Sequence, residues 1–174
     1  MWCVRKGNQV TQIIPGAKAI TLDGVQHPPA IFTAWSKEEL ANIFIFPYSE
    51  EVRDNVFYNY SGERYDIKVD QVIKVWDKKT AKDIAPLKSK YINQTETTAR
   101  SKLSPTDWYV IKKMETNEAI PDDIATYRQQ VRDAEASIIK DIKAKKSVSG
   151  IKGMLTSSDG NSQPAMHDWP EPLS

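Results

Sequence analysis

The sequence is short of the residues that make small proteins stapled, metal-bound or reactive. One cysteine in 174 residues, Cys3, leaves nothing for an internal disulfide, and the two histidines, His27 and His167, lie too far apart to build a Cys/His zinc set. An excess of either charge is missing too. With 24 Lys+Arg against 23 Asp+Glu the net charge is +1, so neither nucleic acid nor an anionic membrane is attracted by the chain as a whole. The longest apolar run, Ile43-Phe44-Ile45-Phe46, falls far short of the roughly 20 residues of a membrane helix. Met1 to Lys6 has no apolar stretch of the secretory kind, so a soluble, cytosolic chain without a membrane partner is expected. Glycine is absent between Gly62 and Gly150, which suits long helices. There is no glycine-rich phosphate loop, no Gly-x-Ser-x-Gly and no His-Glu-x-x-His, and no internal repeat.

What is present divides the chain in three. Residues 1–76 are rich in β-branched and aromatic types punctuated by Gly, Pro and Asp, as in short strands joined by turns. Asp23-Gly24 between Ile20-Thr21-Leu22 and Val25-Gln26-His27 supplies the positive φ angles of a two-residue hairpin. Ser36 three residues before Glu39 makes a capping box and starts a helix over about 37–43. Val56–Tyr60 and Arg64–Ile67 around Ser61-Gly62-Glu63 read as a second hairpin, and Val69–Trp76 as one more strand.

After Trp76 the apolar period lengthens to between three and four. Ile84, Leu87, Tyr91, Thr95, Ala99 and Leu103 define a helix over 84–103 capped by Asp83. Ser104-Pro105 ends it and starts a shorter helix that stops at Asn117, with Trp108, Ile111 and Glu115 on one face. Pro121-Asp122-Asp123 opens a third, whose seam is Ile124, Tyr127, Val131, Ala134, Ile138 and Asp141 or Ile142. The Lys140, Lys143, Lys145 and Lys146 cluster complements its C-terminal dipole without implying a phosphate site. Residues 147–174 are polar enough to predict a flexible tail with an aromatic anchor, Trp169, near Leu173. The expected fold is thus α+β, with a β-rich domain at 1–76, a three-helix unit at 77–146 and a tail at 147–174.

Candidate chemistry is thin. Glu38/Glu39, Glu50/Glu51 and Asp122/Asp123 are adjacent carboxylates that diverge on a helix or sit in a solvated turn, and Cys3 has no histidine near it in sequence to activate it. No catalytic residue, metal ligand or cofactor is expected. Aromatics say more: the five tryptophans are many for this length, and Trp35, Trp76, Trp108 and Trp169 fall at junctions between elements. Trp108 is expected to wedge between the long helices, and Arg128 to pair with Asp107 or Glu115 as a lock.

Thr106-Asp107-Trp108-Tyr109-Val110-Ile111, then Ile120-Pro121, then Tyr127-Arg128-x-x-Val131-Arg132, resembles a module of tail assembly chaperones and tail fibre assembly proteins of tailed bacteriophages. The likeness covers about 84–135, and Trp169-Pro170 near the end is similar as well. The resemblance implies a non-catalytic protein of the host cytoplasm that binds a tail or tail fibre subunit during assembly. The alternative is a structural virion protein, a tail adaptor or decoration component, and a homo-oligomer stays open. Nucleic acid is a disfavoured partner. Trp35, Trp108, Tyr127, Arg128, Arg132 and Trp169 are the candidate partner-binding residues.

Overall fold

The computed structural model describes residues 1–156 and 164–172, and the chain is an α+β protein of two compact units, Met1–Thr80 and Ala81–Ser174. The first unit carries a five-stranded sheet in the order β2-β1-β5-β7-β6. β1 (Trp2–Lys6) pairs antiparallel with β2 (Gln9–Ile14) on one side and with β5 (Ile45–Glu50) on the other. β5 then runs parallel to β7 (Val72–Ala81), with Tyr48 opposite Val72.

Alternation along β1 builds the core on both sheet faces. Val4 joins Ile14, Ile20, Ile31, Phe32, Leu40 and Ile45, whereas its neighbour Cys3 joins Phe46, Tyr48 and Val72. Between β2 and β5 the chain makes the expected ribbon of β3 (Ile20–Leu22) and β4 (Val25–His27), with Asp23 at φ 50° and Gly24 at φ 84°. The short α1 (Ile31–Ala34) and α2 (Lys37–Asn42) follow. Both halves of the capping box are made: Glu39 N–H donates to Ser36 Oγ at 3.1 Å, and Ser36 N–H to Glu39 Oε2 at 2.7 Å.

The hairpin expected at Ser61-Gly62-Glu63 does not form. Tyr58–Ile67 is one ten-residue strand, β6, and the chain reverses instead over Lys68–Gln71, where Lys68 N–H donates to Gln71 C=O. Pairing with β7 overrides the local turn signal. Glu63 meets Lys74 at 2.8 Å, Arg64 meets Asp77, and Tyr60 meets the Trp76 ring. Gly62, at φ 72°, bends the strand without ending it. The expected boundary at 76 therefore falls inside β7. Asp77-Lys78-Lys79 belong to the strand, which is exposed at its end and so needs no apolar alternation to mark it.

Gly62→Ala is expected to destabilise the first unit by about 1 to 2 kcal/mol, the ordinary cost of a left-handed L-residue. An added Cβ would also come within 3.0 Å of Asp77 Cβ. Urea unfolding checks this, and an unchanged midpoint would mean that the strand can straighten at this position.

In the second unit α3 (Ile84–Leu103) is capped by Asp83, whose carboxylate accepts from Ala85 N–H, and it buries Leu87, Tyr91, Thr95 and Ala99. A 3-10 turn, Ser104–Thr106, leads into α4 (Asp107–Thr116), which ends at Asn117 in the left-handed conformation, φ 59°. α5 (Asp122–Ala144) returns along α3. Tyr127 and Arg128 bond to the carbonyls of Lys102 and Leu103 at one end, and Lys88 to that of Lys143 at the other, so the two long helices are antiparallel. Of the two residues left open in the α5 seam, Ile142 is buried and Asp141 is exposed.

The segment expected to be a flexible tail is structured where it is described. Ser147 caps α6 (Val148–Gly153), and Val148, Ile151 and Met154 are buried. Pro164–Pro172 lies back on the unit as a strap: Met166 is buried, its N–H donates to Met154 C=O, and Trp169 packs on Ala99, Tyr127 and Val131. Polar composition misleads because a few apolar residues, Val148, Ile151, Met154 and Met166, are each buried. Leu173 lies outside the described residues.

Candidate binding site

Arg128 organises the junction of the three helices. It comes from α5 and is only 6% exposed. Its Nη1 donates to Thr106 Oγ1 at 2.6 Å and to Leu103 C=O at 3.0 Å, and lies 2.9 Å from Asp107 Oδ1. Each acceptor has a structural reason to be there. The Leu103 carbonyl is one of the orphans at the end of α3, where positive charge is favourable, and Asp107 is in the first turn of α4, where negative charge is. Thr106 relays between them, since its hydroxyl donates to the same Leu103 carbonyl at 2.8 Å. The lock expected from the sequence exists, with Asp107 as the partner and Glu115 not.

The helix so fixed has an unusual surface. None of the ten residues of α4 is buried. Trp108 is 57% exposed, Ile111 52% and Met114 82%, at a spacing of three that lays them along one strip. Lys112 lies 5.7 Å from the centre of the Trp108 ring and pairs with Glu118 at 2.6 Å, and Tyr109 tilts against the same ring. The indole is therefore held in place while its surface stays open. The expected wedge is a correction: Trp108 is exposed and outside the core, and Tyr127 and Trp169 pack on Ala99 and Val131 of the long helices instead.

The six candidate residues do not form one patch. Tyr127 and Arg128 are buried in the second unit and act inside it, and Trp169 is half-buried against its own helices. Arg132, one turn beyond Arg128, is exposed, as is Trp108. Trp35 belongs to the first unit, 38% exposed and edge-on to His27, beside a hollow of about 260 Å³ lined by Glu39, Asn42 and Ile43. Sequence reading missed Met114, although its spacing from Trp108 and Ile111 was there to be read.

Cys3 is fully buried, and burial pushes its thiol up from the ordinary range, which disfavours the nucleophilic thiolate. Burial and a hydrogen bond to Glu50 push the Tyr48 phenol up as well. Among the described residues no three His, Cys, Asp or Glu side chains are placed to hold a metal ion, and no helix is long and apolar enough to cross a membrane. Fold and site together define a two-unit α+β chain that presents an apolar strip on a pinned helix. No protein-family model, curated protein or solved structure matches the chain.

Proposed function

We propose that this chain is a non-catalytic assembly protein of a bacteriophage tail or tail fibre, working in the host cytoplasm and binding a newly made tail or fibre subunit through α4. The observation that carries this reading is the exposed strip of Trp108, Ile111 and Met114 on a helix none of whose residues is fully buried. Scattered apolar residues on a surface need no explanation, but three in register around a tryptophan are what a partner contact uses. The stretch that resembles the phage module splits along this line. Thr106, Asp107 and Arg128 pin the helix, and Trp108 and Ile111 are displayed by it.

Pre-positioning gives the contact its value, since a fixed helix loses little conformational freedom on binding. The strip is three side chains long, well below the roughly 800 Å² per partner of a stable interface. Such a contact suits a protein that covers apolar surface during assembly and then leaves. No cofactor takes part.

Trp108→Ser tests the proposal. Unfolding stability is expected to change by less than about 0.5 kcal/mol, as at other surface sites, while capture of co-expressed tail or fibre subunits weakens about thirtyfold, the loss of a tryptophan hot spot. Wild-type capture by the variant would overturn the reading. Mass spectrometry of purified particles is the second measurement: an assembly factor is absent or far below stoichiometry, and a stoichiometric amount would make the chain a virion component.

A further inference from the structure

The strand β7 outlasts its neighbour. β5 pairs with it only where Tyr48–Glu50 face Val72–Lys74, and β6 is the last strand of the sheet. Beyond Lys74, β6 and β7 thus continue as a two-stranded ribbon whose outer edge, on β6, faces no other strand among the described residues. Exposed sheet edges are normally protected, because their free N–H and C=O groups recruit other strands.

This ribbon carries three rings and an excess of cations. Arg53, from the preceding loop, lies 4.3 Å from the centre of the Trp76 ring, which Tyr60 meets edge-on at 6.1 Å. Lys79 lies 4.2 Å from the centre of the Tyr58 ring and 6.0 Å from that of Tyr60, so its charge is held above β6. The carboxylates of the ribbon are already engaged, Glu63 with Lys74 and Asp77 with Arg64. Arg53, Lys78 and Lys79 have no carboxylate within ion-pair distance among the described residues. The Tyr58 amide is already used by Asp54 C=O, so the start of β6 is not part of a free edge.

We propose that the outer edge of β6 is a docking edge for an acidic extended strand of a partner polypeptide, whose backbone adds to the ladder and whose carboxylates meet Arg53, Lys78 and Lys79. Strand addition supplies affinity through the main chain, and the flanking charges choose the sequence. A single-stranded nucleic acid fits less well. Cations already lie over the rings where bases would stack, and residues 1–80 carry 10 Lys+Arg against 10 Asp+Glu, with no long-range pull on a polyanion. Nor does a second copy provide the occupant, since its own β6 offers only Glu63 and Asp66 with Arg64 between them.

The test titrates the full-length protein with a synthetic peptide alternating glutamate with threonine and valine. Its lysine counterpart and oligothymidylate are the controls. The acidic peptide is expected to bind, to weaken with added salt, and to slow amide exchange in β6. Lys78→Glu, at a side chain with no ion-pair partner among the described residues, should weaken it roughly tenfold, and Lys79→Glu should do the same. Equal binding of both peptides, preference for oligothymidylate, or self-association in place of peptide binding would each overturn the proposal. So would protection confined to α4. Trp108→Ser should leave peptide affinity unchanged, which separates this edge from the client contact proposed above.

Discussion

Arg128→Met is expected to destabilise the second unit by about 3 kcal/mol, while Asp107→Asn, at the other end of the same ion pair, costs no more than about 1 kcal/mol. The asymmetry comes from burial. The guanidinium is 6% exposed and reaches three acceptors, whereas the Asp107 side chain is 56% exposed and water replaces most of what the pair supplies. Removing the charge leaves the Leu103 carbonyl and the Thr106 hydroxyl bonded only to each other, and the loss of a charged donor to buried acceptors costs about 1 to 3 kcal/mol. Arg128→Lys should recover part of the loss, because all three contacts are made by the single nitrogen Nη1, which an ammonium replaces in charge and donors though not in reach. Urea unfolding followed by helical circular dichroism measures all three. Wild-type stability of Arg128→Met would mean that α4 is held by something other than this lock. For the client contact proposed above, a loosened α4 should bind more weakly even with Trp108 intact.

Deleting residues 164–174 should cost about 3 kcal/mol and lower the melting temperature of the second unit by about 15 °C. The strap covers the tightest part of that core. Val131 is 0% exposed and Ala99 1%, both beneath or beside the Trp169 indole, and Met166 goes with the deletion. Trp169→Ala alone should cost about 2 kcal/mol, less than a fully buried tryptophan because the ring is only partly covered. The indole N–H is satisfied by Met166 C=O at 3.2 Å within the strap, and Lys102 Nζ reaches Pro170 C=O at 3.5 Å, so burial rather than hydrogen bonding carries the effect. A truncated chain that melts like the full-length one would return Trp169 to the role of a free anchor. Arg128→Met and Trp169→Ala together should not be additive, since Tyr127 and Arg128 sit on adjacent positions of α5 and the strap packs on the first of them.

Local signals were sufficient wherever a side chain satisfies its own backbone or a near neighbour. Asp83 before Ile84, Ser36 with Glu39, Asp23-Gly24 and Asn117 each mark an element end in the sequence, and each does so in the fold, because caps and tight turns are decided within four residues. The face of α3 followed from its period for the same reason. Arg128 with Asp107 was legible as a pairing because helix spacing limits which charges can meet across a short connection.

The rest depended on contacts distant in sequence. Gly62 looks like a turn until β7 supplies Lys74, Trp76 and Asp77 as cross-strand partners, and only then is a bent strand the better solution. Trp108 and Trp169 show the same dependence in opposite directions. Both are tryptophans at junctions, and nothing local distinguishes them. The hole between α3 and α5 holds one indole, and the strap, being extended and free of helix geometry, delivers Trp169 into it, while Trp108 is fixed by the lock at its own helix start and faces solvent. Sequence alone therefore determined the α+β class, the helix ends and the ion pair, which are matters of local propensity and spacing. The tertiary structure decided which tryptophan is core and which is surface, because that depends on which side chain occupies a cavity no single segment encloses.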